Sequence, residues 1–225
     1  MQNRLAPLRF VPHGRGNMTS VDLDAQVRAT DLDRWLSSRF VDDVQARADL
    51  ITLYAFEAEL VAIPTRVTQP LLAEMRFTWW AEQMDGVFAN TPRVGHPVLE
   101  GLTELVNRRG LDRAPFDALI EAHIGRVHKA PHDLDAFFAG PMVLAARILG
   151  AGDHASAARD AGRVFGMMQT GREAEAKALK PAANAALKSL PAKAFPAVAH
   201  ASLSRQQAEP TKRLQLFWNT VRGRI

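Results

Sequence analysis

The sequence predicts an all-α fold. From Asp22 onward apolar residues recur at three- and four-residue spacing, alanine is abundant, and no run of β-branched residues is long enough to build strands. The 225 residues are 47% hydrophobic, enough to bury a full core, and no internal repeat or low-complexity linker marks a boundary. The expected organisation is one helical domain over residues 22–225 behind a mobile basic leader over residues 1–21. Pro7, Pro12, Gly14 and Gly16 break any period in that leader, and Arg4, Arg9 and Arg15 make it basic. Its shortage of serine and its helix breakers argue against a transit peptide. Met18 offers an alternative start.

The helices follow from their start and stop signals. Thr30 or Asp31 caps a short helix through Trp35, and Asp42 or Asp43 caps a longer one carrying Val44, Leu50, Leu53, Tyr54 and Ala58. Pro64 is expected to interrupt or end that helix. A third runs from Pro70 through Leu72, Met75, Trp79 and Met84 to Phe88, where Asn90, Thr91 and Pro92 stop it. Further helices are expected from Pro97 to Asn107, Pro115 to Lys129, Leu134 to Leu149 and His154 to about Ala178. Pro181, Pro191, Pro196 and Pro210 should divide the remainder into short helices, the last holding Leu214, Phe217, Trp218 and Val221. The series Met75, Trp79, Trp80, Met84 and Phe88 reads as core packing. Trp79 and Trp80, being adjacent, point about 100° apart, so only one can lie fully on the core stripe.

Composition excludes several classes of function. No apolar run approaches the roughly 18 residues that cross a bilayer. The absence of cysteine removes disulfides, thiolate metal sites and cysteine nucleophiles, and fits a reducing compartment. The net charge of +4 is uneven. Residues 176–225 hold nine Lys and Arg against the single acid Glu209, residues 1–21 hold three arginines and no acid, and the body between them is acidic. Such ends favour an anionic membrane surface or an acidic protein face. The basic residues lie among apolar helices without a recognisable reader module, so nucleic acid is not an expected partner.

Motifs that carry chemistry are sparse. Glu100 with Glu104, and Asp117 with Glu121, each place two carboxylates on one helix face, fewer oxygens than a hard cation usually needs. His128 and His132 are also four apart, but Pro131 between them breaks a helical ligand pair. There is no G-x-S-x-G elbow, P-loop, dinucleotide-binding glycine pattern or H-E-x-x-H.

Longer segments carry a family resemblance. Asp33-Arg34-Trp35 through Ser38-Arg39-Phe40, followed by Leu53-Tyr54-Ala55-Phe56-Glu57-Ala58-Glu59-Leu60, resembles the opening helices of the squalene/phytoene synthase family. Arg76-Phe77-Thr78-Trp79-Trp80-Ala81-Glu82, then Asp85-Gly86 and His96-Pro97-Val98, resembles its R-x-x-W-W-x-E, D-G and H-P-V series. Pro115-Phe116, Leu119-Ile120-Glu121 and the ending Leu216-Phe217-Trp218 with Arg222-Gly223-Arg224 fit the same scheme. The resemblance implies an isoprenoid-synthase-like helical bundle around a central apolar cavity.

Active members of that family join two prenyl diphosphates, using two aspartate-rich motifs whose carboxylates hold magnesium against the diphosphate leaving group. Aligned on Tyr54-Ala55-Phe56, the first motif's aspartates fall on Val61, Ala62 and Thr65, and its arginine on Ala58. Glu57 and Glu59 are near but diverge around the helix. The second motif falls after Gly162, near Met167, Met168 and Gln169, where Thr170, Gly171 and Arg172 follow instead of aspartates. The resemblance therefore implies a protein with neither catalytic nor metal-binding residues of that type and no cofactor. Its degenerate branch includes a mitochondrial assembly factor for respiratory complex I. The Phe56–Leu60 segment resembles the F-N-x-E-L form of that branch.

The expected function is thus a non-catalytic assembly factor or apolar lipid-binding helper. Its expected partners are a protein such as a complex I subunit, an apolar lipid and a membrane surface. The expected setting is cytoplasmic, peripheral at the inner membrane, or the mitochondrial matrix in a eukaryote. The alternative is a divergent magnesium-dependent prenyltransferase using Glu57, Glu59, Glu82 or Asp85. Tyr54, Arg39, Arg76 and Trp80 are the expected ligand-binding residues, from positions that can face a retained cavity or its mouth.

Overall fold

The computed structural model describes residues 20–203 and 207–225. Among these, the regular elements are all helical: α1 (Ser20–Thr30), α2 (Leu32–Ser38), α3 (Val44–Arg66), α4 (Pro70–Phe88), α5 (Pro97–Arg109), α6 (Ala114–Val127), α7 (Gly140–Ile148), α8 (Ala155–Gln169), α9 (Glu173–Leu187) and α10 (Glu209–Arg222). A π-helical turn, Asp135–Ala139, leads into α7, and 3-10 turns at Ala192–Ala197 and Ala199–Ser202 precede α10. The leader expected over residues 1–21 lies outside the described residues up to residue 19, and α1 opens at Ser20.

Helix starts are set by side chains that satisfy otherwise orphaned amides. Asp31 accepts from the Arg34 amide at 3.0 Å, and Asp43 from the Gln45 and Ala46 amides at 2.8 and 3.0 Å. Pro70 and Pro97 open α4 and α5, where a fixed φ and a missing N–H cost nothing.

The core forms around α3. Its residues Leu50 to Glu57 are eight consecutive buried positions, so every face of that segment is covered, by α1, α2, α4, α5 and α7. Asp49, 2% exposed, receives Arg108 at 2.5 Å and Arg109 at 2.6 Å and so ties α5 to the start of α3.

Four sequence expectations need correction. Pro64 does not stop α3, which continues to Arg66; so close to the end, the missing donor and ring clash are tolerated. Pro181 likewise lies inside α9. The helix expected from His154 to about Ala178 is two helices, because Gly171 adopts a left-handed φ of 77° that ends α8 and turns the chain into α9. In the α4 series Trp80 and Met84 are buried, but Met75 is 59% exposed and off the core stripe.

Helix α8 and the π turn pack backbone to backbone. A Cβ on Gly162 would fall 2.5 Å from the Ala139 Cα, and one on Gly166 would fall 2.5 Å from the Phe138 ring. The two glycines therefore let α8 touch the 135–139 backbone and leave Phe138 lying across α8. Gly162→Ala should gain about 1 kcal/mol of helix propensity yet lose more through overpacking against backbone that cannot retreat. A net loss of about 1–3 kcal/mol in urea denaturation is expected. Gly125→Ala in α6, whose Cβ would meet only Ala130 at 3.5 Å, should instead stabilise by about 0.5–1 kcal/mol.

Candidate functional site

Helices α2, α3, α6 and α8, with the π turn and the Ala199–Ser202 turn, line a half-open cavity of about 840 Å³, a volume within the range of small-molecule sites. One side is aromatic. Phe165 meets Phe138 edge-on at 5.8 Å, and Phe137 packs against His123 at 4.8 Å and His132 at 5.6 Å. The rings of Phe137, Phe138 and Phe165 stay half-buried because they face this space. The edge is formed by Ala58, Val61, Ala62 and Thr65 of α3 on one side and Gln169 of α8 on the other.

The polar residues of the lining are mostly engaged with one another. Arg34 Nη1 donates to Glu57 Oε2 at 2.5 Å, both side chains being buried, and its guanidinium lies 5.3 Å from the Tyr54 ring centroid. Lys212 of α10 reaches Asp33 at 2.6 Å. Arg126 donates to the Ala130 carbonyl. Burial holds the Tyr54 phenol well above its usual range, and it outweighs Arg34 in pushing the Glu57 carboxyl up. Burial also drives His200 well below the ordinary histidine value, with Arg34 adding to the effect. His123, buried against Phe77 and Phe137, is pushed down to about 4, chiefly by desolvation and secondarily by His132.

The squalene/phytoene synthase family model matches residues 27–176, two thirds of the chain. The chain belongs to this family. Comparison with curated proteins gave no match, and comparison with solved structures gave none. The matched region contains α2 to α8, hence most of the cavity wall.

Within a squalene/phytoene synthase framework, the geometry tests whether the residues present suit magnesium. The positions aligned with the first aspartate-rich motif, Val61, Ala62 and Thr65, all line the cavity, as does Gln169 near the second. One hydroxyl and one amide are the side-chain oxygens these positions offer, a donor set that does not fit a cation demanding octahedral oxygen coordination. The three lining acids are otherwise committed: Glu57 to Arg34, Asp33 to Lys212, and Asp31 to the α2 N-terminus with Arg34 3.6 Å away. Among the described residues, no three His, Asp or Glu side chains converge on a metal-sized site. Glu59 pairs with Arg66 and Gln26, and Asp85 with Arg113. The carboxylate pairs on α5 and α6 also serve local bonds, with Glu100 accepting from Gly95 and Asp117 from Arg113.

The four residues expected to bind ligand do not share one site. Tyr54 lines the main cavity. Arg76 and Trp80 line a separate pocket of about 340 Å³ with Glu59, Arg66, Trp79 and His96. Arg39 lines neither; it bonds Asp24 at 2.6 Å and lies 4.6 Å over the Trp35 ring, bracing α1 against α2. The sequence reasoning overlooked His123 and His200. Their signal is a lone histidine within an apolar helical stretch, a pattern shared by many core histidines.

The buried histidines set an acid limit on stability. Both have folded-state values below the unfolded one, so the unfolded chain binds more protons as pH falls below about 6.5 and stability drops. By pH 5 His123 alone should cost roughly 2 kcal/mol. His123→Phe should remove that part of the slope in urea titrations between pH 6.5 and 5.

Proposed function

We propose that this protein is a non-catalytic squalene/phytoene synthase relative that holds an apolar lipid in its cavity. The observation that carries the reading is the combination of a cavity of about 840 Å³ walled by Phe137, Phe138 and Phe165 with apolar or neutral residues at the aspartate positions. The scaffold for holding a chain-like apolar molecule is kept, and the carboxylates that would assist loss of a diphosphate are not. Purified protein should release no pyrophosphate from geranyl, farnesyl or geranylgeranyl diphosphate with magnesium. Organic extracts of it should contain a co-purified lipid by mass spectrometry. Magnesium-dependent release abolished by Glu57→Ala or Asp85→Ala would establish the prenyltransferase alternative instead.

The same reading places the protein at an anionic membrane surface. Leu214, Phe217, Trp218 and Val221 form an i, i+3, i+4, i+7 stripe on α10 that is about half or more exposed, while Leu216 and Lys212 on the opposite face are buried. The surrounding sequence is strongly basic, and Arg222 lies 5.4 Å from the Trp218 ring. An indole beside cationic groups suits the headgroup layer. Phe217→Ser with Trp218→Ser should abolish co-sedimentation with vesicles containing phosphatidylserine. Binding independent of lipid charge, or self-association through this face, would contradict the assignment. The likeness of Phe56–Leu60 to the assembly-factor branch supports respiratory complex I assembly as the setting for this lipid-binding role. Unaltered complex I after deletion of the protein would refute that part.

A further inference from the structure

Residues of the cavity lining carry buried polar atoms that nothing in the protein satisfies. Among the described residues, the buried side-chain atoms without a partner are Tyr54 Oη, Glu57 Oε1, both ring nitrogens of His200, and Thr220 Oγ1. All but the last belong to residues that line this cavity. Tyr54 and His200 are each 2% exposed and Glu57 is 7% exposed. An unpaired buried polar group costs about 1–3 kcal/mol; these atoms present almost no open surface, so a ligand that drew their side chains toward the cavity would recover that cost.

Their placement is specific. Tyr54 and Glu57 are three residues apart on α3 and share a helix face. Arg34 bridges them, pairing with Glu57 and facing the Tyr54 ring. His200 approaches from the 199–202 turn, its ring edge-on to Phe165 at 5.3 Å. The polar cluster thus lies at the buried end of the lining, and the exposed residues Val61 and Thr65 lie at the other.

We propose that this cluster is a headgroup site for a neutral lipid ending in a hydroxyl or carbonyl, held by Tyr54 Oη, Glu57 Oε1 and His200. The proposal deepens the lipid-binding reading above and rests on it. A phenol and a neutral imidazole each offer one N–H or O–H donor, and the imidazole's second nitrogen and Glu57 Oε1 offer acceptors. A ligand hydroxyl can accept from Tyr54 and donate to Glu57, and a carbonyl can accept from both Tyr54 and His200.

The charge balance argues against an anionic head. The lining holds three acids, Asp31, Asp33 and Glu57, and three cations, Arg34, Arg126 and Lys212. Arg34 and Lys212 are committed to those acids. A diphosphate would meet Glu57 without a surplus of cations to offset its charge.

Titration calorimetry on the whole chain with farnesol, farnesyl diphosphate and the matching hydrocarbon 2,6,10-trimethyldodecane tests the assignment. Farnesol should bind at least about tenfold more tightly than either of the others, as expected when a site's polar atoms are left unpaired or meet the wrong charge. Tyr54→Phe should weaken farnesol about fivefold, the worth of one net hydrogen bond, without changing the hydrocarbon's affinity. A thermal midpoint no lower than the parent's would show that this variant is folded, and His200→Phe provides a second variant with the same expected direction. Equal affinity for alcohol and hydrocarbon, or a Tyr54→Phe variant that binds farnesol as the parent does, would overturn the headgroup site while leaving lipid binding intact. Tighter binding of the diphosphate would overturn it too. Failure of all three to bind would overturn the lipid-binding reading itself.

Discussion

The buried ion pair between Arg34 and Glu57 is the interaction on which the cavity depends. Removing two charges from water is costly, and a pair of this kind contributes little net stability compared with an apolar replacement. Breaking it is far worse than never having it, because the remaining charge is stranded. Arg34 therefore fixes α2 against α3, and α2 in turn fixes elements distant in sequence. Lys212 of α10 reaches Asp33 at 2.6 Å, and Ser37 Oγ donates to the Pro196 carbonyl at 2.6 Å. A helix of seven residues thus joins the central helix to the C-terminal third of the chain.

Most of the fold was legible because its signals are local. Of the alternatives Thr30 or Asp31 and Asp42 or Asp43, Asp31 and Asp43 are the caps, and Pro70 to Phe88 matches α4 at both ends. The differences have local causes. A proline within a helical stretch reads as a breaker, but Pro64 lies near a helix end and Pro181 is tolerated within α9. The turn at Gly171 looked like continued helix because the decisive fact is one positive φ, which apolar spacing does not report.

The site was less legible. Order and spacing of motifs pointed to the family, and the substituted aspartate positions do line the cavity. The residues that give the cavity its polar end come from three separated places, Arg34, Tyr54 with Glu57, and His200. Only tertiary packing brings them together. Arg39, a conspicuous arginine in a family-like segment, lies outside both pockets and braces two helices through Asp24 and Trp35, contacts that sequence spacing does not report.

The π turn at Asp135–Ala139 has an evolutionary corollary. A π turn accommodates one residue more than an α turn, and here it brings two consecutive aromatic rings, Phe137 and Phe138, to the same wall. A lineage that gained or lost a single codon in this turn would rotate both rings at once and, because Ala139 and Phe138 lie against Gly162 and Gly166, would reseat α8 on the turn as well. Cavity shape in such a scaffold can therefore be remodelled by insertion and deletion, in one step, without any substitution among the residues that line it.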